Sequence, residues 1–310
     1  MTSAFAPARA AAHAAAAQQH YPQGSLYLVA TPIGNLADIS LRALHVLHLV
    51  DSVACEDTRH TQTLLRAYGI DKTAGQLLAL HQHNEAEAAA QVVDLLRQGR
   101  RVAYVSDAGT PAISDPGARL VAVALQAGLP VVPVPGPSSV TAALSVAGID
   151  LAQAPAAGFV FAGFLPSKAA ERGAAVQALQ AEVRATVLLE APHRIEAAAD
   201  ALAVLGARRI TLARELTKQF EQIATLEAQA LPAWLAADAN RARGEFVLVL
   251  HPAPAAATGG TDTRVLQLLL AELPLKTAVR LAAEITGQPR NALYDAALAL
   301  RKAPPDEDTR

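Results

Sequence analysis

The chain has a single cysteine, Cys55, in 310 residues. This excludes a disulfide framework and a thiolate cluster for structural zinc, and it fits a reducing cytoplasm. Aromatic residues make up only 4% of the chain against an apolar fraction of 52%. Much of that fraction is alanine, so composition favours helices packed around aliphatic strands over a β-sandwich. Net charge is small as well, −2 from 26 basic and 28 acidic residues, which excludes a protein that coats nucleic acid by bulk positive charge and leaves any RNA contact to local patches. No run of about 18 apolar residues is free of charges or helix breakers, so no membrane span is expected. The dinucleotide fingerprint G-x-G-x-x-G and the phosphate loop G-x-x-x-x-G-K-[ST] are both absent.

What is present is long enough for two compact units and a small third. Residues 1–23 are alanine-rich. His13 interrupts their apolar stretch and Arg9 comes late, so they do not read as a signal peptide. The reading is a disordered leader. After it, short aliphatic runs alternate with segments of helical period. The expected strands are Leu26–Ala30, Ser52–Cys55, Val102–Val105, Val131–Val134, Phe159–Phe161, Thr186–Leu189 and Ile210–Ala213, and the second unit ends in Glu245–Leu250. Leu41–Val50, Glu85–Gln98 and Ala118–Ala127 suit crossover helices. Asn84 with Glu87 resembles a capping pair, and Gly99 supplies a left-handed stop. An α/β architecture with a parallel sheet between helices follows.

The expected division is an N-terminal α/β domain over 24–150, a C-terminal α/β domain over 151–251, a linker over 252–262, a helical module over 263–302 and a tail over 303–310. The module carries Arg264, Lys276, Arg280, Arg290, Arg301 and Lys302 against Glu272, Glu284 and Asp295, a net of +3 within a chain of −2. That asymmetry suits an RNA-binding module, and a solvated helix face would look the same.

Four loops leave strands of the first domain at one edge, where open α/β sheets bind ligands. In the first, Pro32 and Gly34 taken alone are turn residues. In the second, Glu56, Asp57 and Arg59 equally describe a helix start favoured by its dipole. The third, Ser106 to Gly117, holds Asp107, Ala108, Gly109, Ile113 and Ser114. It is longer than the two to six residues such connections usually need, and its small residues can leave backbone amides open to a ligand. In the fourth, Ser138 or Ser139 can cap a helix. Together the four describe a ligand cleft. His81 and His83 lack a third metal ligand at suitable spacing, and G-P-S-S-V around Ser138 is not a nucleophile elbow. No metal site and no hydrolase are expected.

The strings V-A-T-P-I-G-N-L (29–36), C-E-D-T-R (55–59), S-D-A-G-T-P-A-I-S-D-P-G (106–117) and P-V-P-G-P-S-S (133–139) resemble the characteristic stretches of the ribosomal RNA small-subunit methyltransferase I family, within the tetrapyrrole-methylase superfamily. Later strings agree in order: F-A-G-F-L-P from Phe161, E-A-P-H-R from Glu190, A-R-E-L-T-K from Ala213, G-E-F-V from Gly244 and N-A-L-Y from Asn291. The resemblance covers Leu26 to Leu300. It implies a two-domain class III methyltransferase fold, usually a homodimer, with S-adenosyl-L-methionine held between the domains. It further implies methylation of the ribose 2′-hydroxyl of cytidine 1402 in 16S ribosomal RNA, on the small ribosomal subunit. Carried over, the cofactor contacts fall at Pro32, Ser106, Asp107, Ala108, Gly109, Ile113, Ser114, Ser138, Ser139, Glu190, Ala213, Arg214 and Gly244.

Methyl transfer from a sulfonium needs in-line approach, so positioning and desolvation can supply most of the catalysis. A ribose hydroxyl is a poor nucleophile that a base or a cation would assist. Glu190, Lys218 and Asp57 are the catalytic candidates by location, with Glu56 and His193 also near. Arg59, Lys168, His193, Arg194 and Lys218 are candidates for RNA contact. Two other readings stay open: methylation of a small molecule such as a tetrapyrrole, and a non-catalytic ribosome-assembly factor.

Overall fold

The computed structural model describes residues 5–81, 83–151, 157–253 and 263–302. The chain divides into two compact units, 1–252 and 253–310. In the first unit, helix α1 (Ala6–Ala16) precedes strand β1 (Leu26–Val29). Then follow α2 (Leu41–Leu49), β2 (Ser52–Cys55), α3 (Thr58–Ala67), β3 (Leu77–Ala79), α4 (Glu85–Arg97), β4 (Val102–Val105), α5 (Gly117–Gln126), β5 (Val131–Val134) and α6 (Ser139–Val146). These strands pair in parallel in the order β3-β2-β4-β1-β5. Every residue of β2 and β4 is buried, as expected of parallel strands covered on both faces.

The chain then forms β6 (Phe159–Phe164), α7 (Ala169–Gln180), β7 (Ala185–Glu190), α8 (Ile195–Leu202), β8 (Arg209–Arg214), β9 (Gln222–Glu227), α9 (Leu231–Ala236) and β10 (Phe246–Leu250). The second sheet runs β6-β7-β10-β8-β9. Its β6–β7 pair is parallel and the other three pairs are antiparallel. Its last strand, β10, is buried along its whole length between β7 and β8. Burying each such aliphatic side chain stabilises the fold by roughly 1.5–3 kcal/mol.

The two sheets share a core cluster. Ile33, Ala143 and Ala147 from the first pack with Val187, Ala213, Leu216, Val247 and Val249 from the second. The sheets therefore belong to one unit, although they lie on either side of the expected break near residue 150. Residues 152–156 lie outside the described residues, as do 254–262 of the expected linker and the tail 303–310.

Three expectations are corrected. The leader is not disordered over its whole length: Ala6–Ala16 is helical, and Ala12 and Ala16 are buried. An apolar stripe with i, i+4 spacing is invisible in a segment that is nearly all alanine. Asn84 stands at the start of α4 but makes no side-chain cap. Its amide instead accepts from the His81 N–H at 2.8 Å and donates to the Ala79 carbonyl at 2.9 Å, folding the approach loop on itself. Strands β3 and β9 escape the reading from sequence altogether. The stop at Gly99 is as expected. Its φ is +79°, and the Arg100 N–H reaches back to the Leu95 carbonyl at 3.0 Å.

The second unit contains α10 (Thr263–Glu272), α11 (Leu275–Thr286) and α12 (Arg290–Lys302), packed around Leu266, Val279, Ala282, Leu293 and Ala297. Glu284 pairs with Arg280 at 3.1 Å and with Arg290 at 3.7 Å.

Candidate active site

Beyond the end of β1, Thr31 exchanges two backbone hydrogen bonds with Gly109, each 3.0 Å. This joins the first and third loops directly. The third loop is then wound around Asp115. One carboxylate accepts from the Ala112 N–H at 2.7 Å, the Tyr104 hydroxyl at 2.8 Å and the Gly117 N–H at 2.9 Å. Those bonds hold Ala112 at φ +65°, a conformation costly for a residue with a Cβ. Gly117 is required where it is, because a Cβ there would lie 2.0 Å from the Tyr104 ring.

The facing wall comes from the loop after β8. Glu215 and Thr217 both have positive φ, +52° and +67°. The folded turn brings the Lys218 ammonium to 2.8 Å from Glu215 and 2.9 Å from Glu245. Glu215 also accepts from the Glu245 N–H at 2.9 Å. Partial burial opposes the charge on Lys218, but the two carboxylates outweigh it and its pKa lies above the ordinary lysine value. Glu215 is likewise pushed up by burial, with Lys218 and the Glu245 N–H pulling it further down, so the net shift is downward.

Between the walls lies an open cleft. Ile33, Leu189, Leu216, Phe246 and Val247 give it apolar sides, while Ser139, Glu190, Lys218 and Glu245 supply polar groups. Glu190 is buried at the end of β7. Its Oε1 accepts from the Ala191 N–H at 3.0 Å and lies 3.1 Å from Arg194 Nε.

Of the residues singled out from sequence, Ala108, Ser139, Glu190, Ala213 and Lys218 line this cleft. Pro32, Ser106, Asp107, Gly109 and Ser138 are one or two residues removed from its lining, and Ile113 and Ser114 are exposed on the third loop. Gly244, at φ +88°, is packed against the Glu215 side chain. Arg214 faces elsewhere, donating to the carbonyls of Arg243 at 3.1 Å and Phe220 at 3.4 Å.

Asp57 is placed differently from the expectation of a base in the cleft. It caps α3, accepting from the Arg59 and His60 N–H groups at 2.8 and 3.3 Å. The hydrogen bond from the Arg59 side chain leads the effects that hold its carboxyl down at about 2, which makes it a weak proton acceptor. Arg59 is thereby engaged. Lys168 pairs with Glu171 at 3.0 Å outside the cleft, and His193 is exposed beside it. Arg194 is committed to Glu190 and to the Leu165 carbonyl.

Ile33, Phe164, Leu216, Glu215 and Glu245 were missed from sequence. Their strings had been noticed, but no local signal tells which member of a strand-end string turns inward. Glu56 does not line the cleft, yet it accepts from the Asp107 N–H at 3.0 Å next to Ala108. Burial foremost, with Asp107 and Asp115 adding to it, raises its pKa against the pull of that backbone bond.

A sequence profile of the tetrapyrrole (corrin/porphyrin) methylases matches residues 25–232, and one described as the RsmI C-terminal HTH domain matches 256–301. The Pseudomonas aeruginosa protein named ribosomal RNA small subunit methyltransferase I is 50% identical over 281 residues, covering 89% of this chain and 97% of its own. The Escherichia coli O157:H7 protein of the same name is 48% identical over 280 residues, covering 89% and 95%. Uroporphyrin-III-C-methyltransferase from Thermus thermophilus superposes with a TM-score of 0.52 at 22% identity, covering 74% of this chain and 94% of that one. A second structure of that enzyme, complexed with S-adenosyl homocysteine, gives 0.50 at 18% identity, covering 73% and 97%. Diphthine synthase gives 0.55 at 15% identity, covering 73% and 90%. At such identities the solved structures speak for the fold alone. The relatives match at about half of all positions over nearly their full length, so the chain belongs to the ribosomal RNA small subunit methyltransferase I family of the tetrapyrrole methylases.

Proposed function

We propose that this protein transfers a methyl group from S-adenosyl-L-methionine to the ribose 2′-oxygen of a cytidine, at position 1402 of 16S ribosomal RNA, with the small ribosomal subunit as partner. The observation that carries the reading is the Lys218 ammonium at the wall of a largely apolar cleft, held by Glu215 and Glu245. The family names borne by the relatives support a ribosomal substrate.

The cleft residues fit the cofactor. Ile33, Leu216 and Val247 offer apolar surface for a purine or a thioether, and Ser139 offers a hydroxyl. Glu190 and Glu245 offer negative charge to a sulfonium or an ammonium. The third loop presents Ala108 to the lining, while Gly109 beside it, where a Cβ would lie 3.3 Å from Ile33, is tied to Thr31 through its main chain. When bound, S-adenosyl-L-methionine supplies an electrophilic methyl on a positive sulfur.

In this reading the chain's own residues orient and stabilise. Lys218 remains protonated and faces the attacking ribose oxygen, stabilising negative charge as the hydroxyl proton departs. Glu190, fixed by Arg194 and the Ala191 amide, is the carboxylate on the same lining that receives the proton or orders the hydroxyl. The apolar walls exclude water from the transfer. The helical unit 263–302 contributes cations for RNA phosphates, and a homodimer and a cytoplasmic location belong to the same reading.

The test is methyl transfer from labelled S-adenosyl-L-methionine to purified small subunits that lack the modification, with the labelled nucleotide identified after digestion. Label on a cytidine 2′-oxygen is the expected result. Cofactor binding without label on the RNA would replace this reading with small-molecule methylation, and no cofactor binding would leave the assembly-factor reading.

A further inference from the structure

Helix α1 lies ahead of residue 25, where the matched methylase segment begins. One face, with Ala12 and its neighbours Phe5 and Ala8, joins the core of the first sheet. Arg9 Nη1 donates to the Gly69 carbonyl at 2.5 Å. Alongside, α1 and α2 form a seam in which Arg9, His13, His45 and His48 line one open cavity. Among the described residues no acidic side chain lines it.

The charges that act on the two imidazoles of α2 share one sign, and Asp51 acts on Lys72 behind them. His45 and His48 stand three residues apart and so share a face of α2. The groups whose charge reaches His45 are His13 and His48, and those that reach His48 are Arg9, Lys72 and His13. Burial first, and then these cations, push both imidazoles below the ordinary histidine value. The His13 ring centroid is 5.9 Å from that of His45, whose other neighbour is Tyr21 at 5.0 Å. Arg42 in turn acts on Tyr21. Lys72 donates to the His48 and Val50 carbonyls at the end of α2, cancelling the one source of negative potential a helix C-terminus would offer. Each proton added to His45 or His48 is therefore opposed by its neighbours until an anion joins them.

We propose that the seam between α1 and α2 binds a phosphate group, either as a free anion or within the backbone of an RNA strand. The three imidazoles and the Arg9 guanidinium supply N–H donors around one volume. The seam shares no lining residue with the cleft, so the proposal stands independently of the methyl-transfer reading.

The test uses the full chain and two probes whose charge is constant across the range, sulfate and a single-stranded RNA hexamer, titrated calorimetrically at pH 6 and pH 8. Sulfate should bind roughly tenfold more tightly at the lower pH, because the bound anion draws a proton onto His45 or His48. His45→Gln/His48→Gln should abolish that difference, and Arg9→Gln, which also removes the bond to the Gly69 carbonyl, should weaken binding at both values while far-ultraviolet circular dichroism shows the fold retained. RNA binding that follows the same variants assigns the site to a phosphodiester, and sulfate binding alone assigns it to free phosphate. Binding that is absent, pH-independent or unchanged in the variants would overturn the proposal, as would retention of zinc with no affinity for either anion.

Discussion

Gly34 lies so close to Lys218 that a Cβ at Gly34 would stand 2.4 Å from the lysine Cγ and 2.9 Å from Thr217 Oγ1. The first loop of one sheet and the strained loop of the other therefore meet at a hydrogen atom. Gly34→Ala should displace Lys218 while leaving both cores untouched. We expect kcat for methyl transfer to fall by about 100-fold, the scale of a 1 Å misplacement, with little change in melting temperature. A variant as active as the parent would remove Lys218 from the reaction.

The charge on Lys218 predicts a pH profile. Its pKa is raised by Glu215 and Glu245 against partial burial, so the active, protonated form persists through neutrality and past the ordinary lysine value. Activity should thus show no alkaline fall below about pH 10 attributable to this residue. Lys218→Met should lower kcat at every pH, and Lys218→Arg should retain part of the rate.

Arg194 and Glu190 form a pair in which the carboxylate is buried and the guanidinium partly exposed. Arg194→Ala strands that carboxylate. The expected loss is about 2–3 kcal/mol, below the usual range for a fully buried pair because Arg194 is partly solvated. Adding Glu190→Gln to Arg194→Ala should recover part of the stability, which denaturant titration of the single and double variants measures. Strict additivity of the two losses would show that the pair is not coupled.

Cys55 is buried, and its thiol is pushed up to about 11, chiefly by burial and further by Asp107, Asp57 and Glu56 against a hydrogen bond from Thr61. At pH 8 its thiolate fraction is therefore roughly one in a thousand. A thiol reagent should leave the folded protein unmodified for hours and label it fully once denatured. Rapid labelling of the native protein would place Cys55 at an accessible surface.

The strands of the first sheet could be read from sequence because β2 and β4 are continuous apolar runs between turn formers. β3 could not, since it is three residues long and half-exposed. β9 failed for a related reason: it is an edge strand in which Ile223 points outward and Ala224 inward, so its period misleads. At the site, the third loop announced itself by length and composition. The opposite wall did not, because nothing in the identities of Glu215 and Thr217 signals a left-handed backbone. Asp57 shows the converse, a residue correctly seen at a strand end whose side chain serves the helix behind it.

The paired hydrogen bonds between Thr31 and Gly109 lie in the main chain, so side-chain replacement in either loop leaves them in place. Their amide protons should exchange with solvent as slowly as those of the sheet they extend. That makes this side of the cleft an anvil: the first and third loops cannot part to admit a bulky nucleotide. Any widening must come from the Glu215–Thr217 turn, where unwinding two left-handed residues releases strain and costs the tether on Lys218. Breathing of the mouth and loss of the ordered ammonium are then one motion.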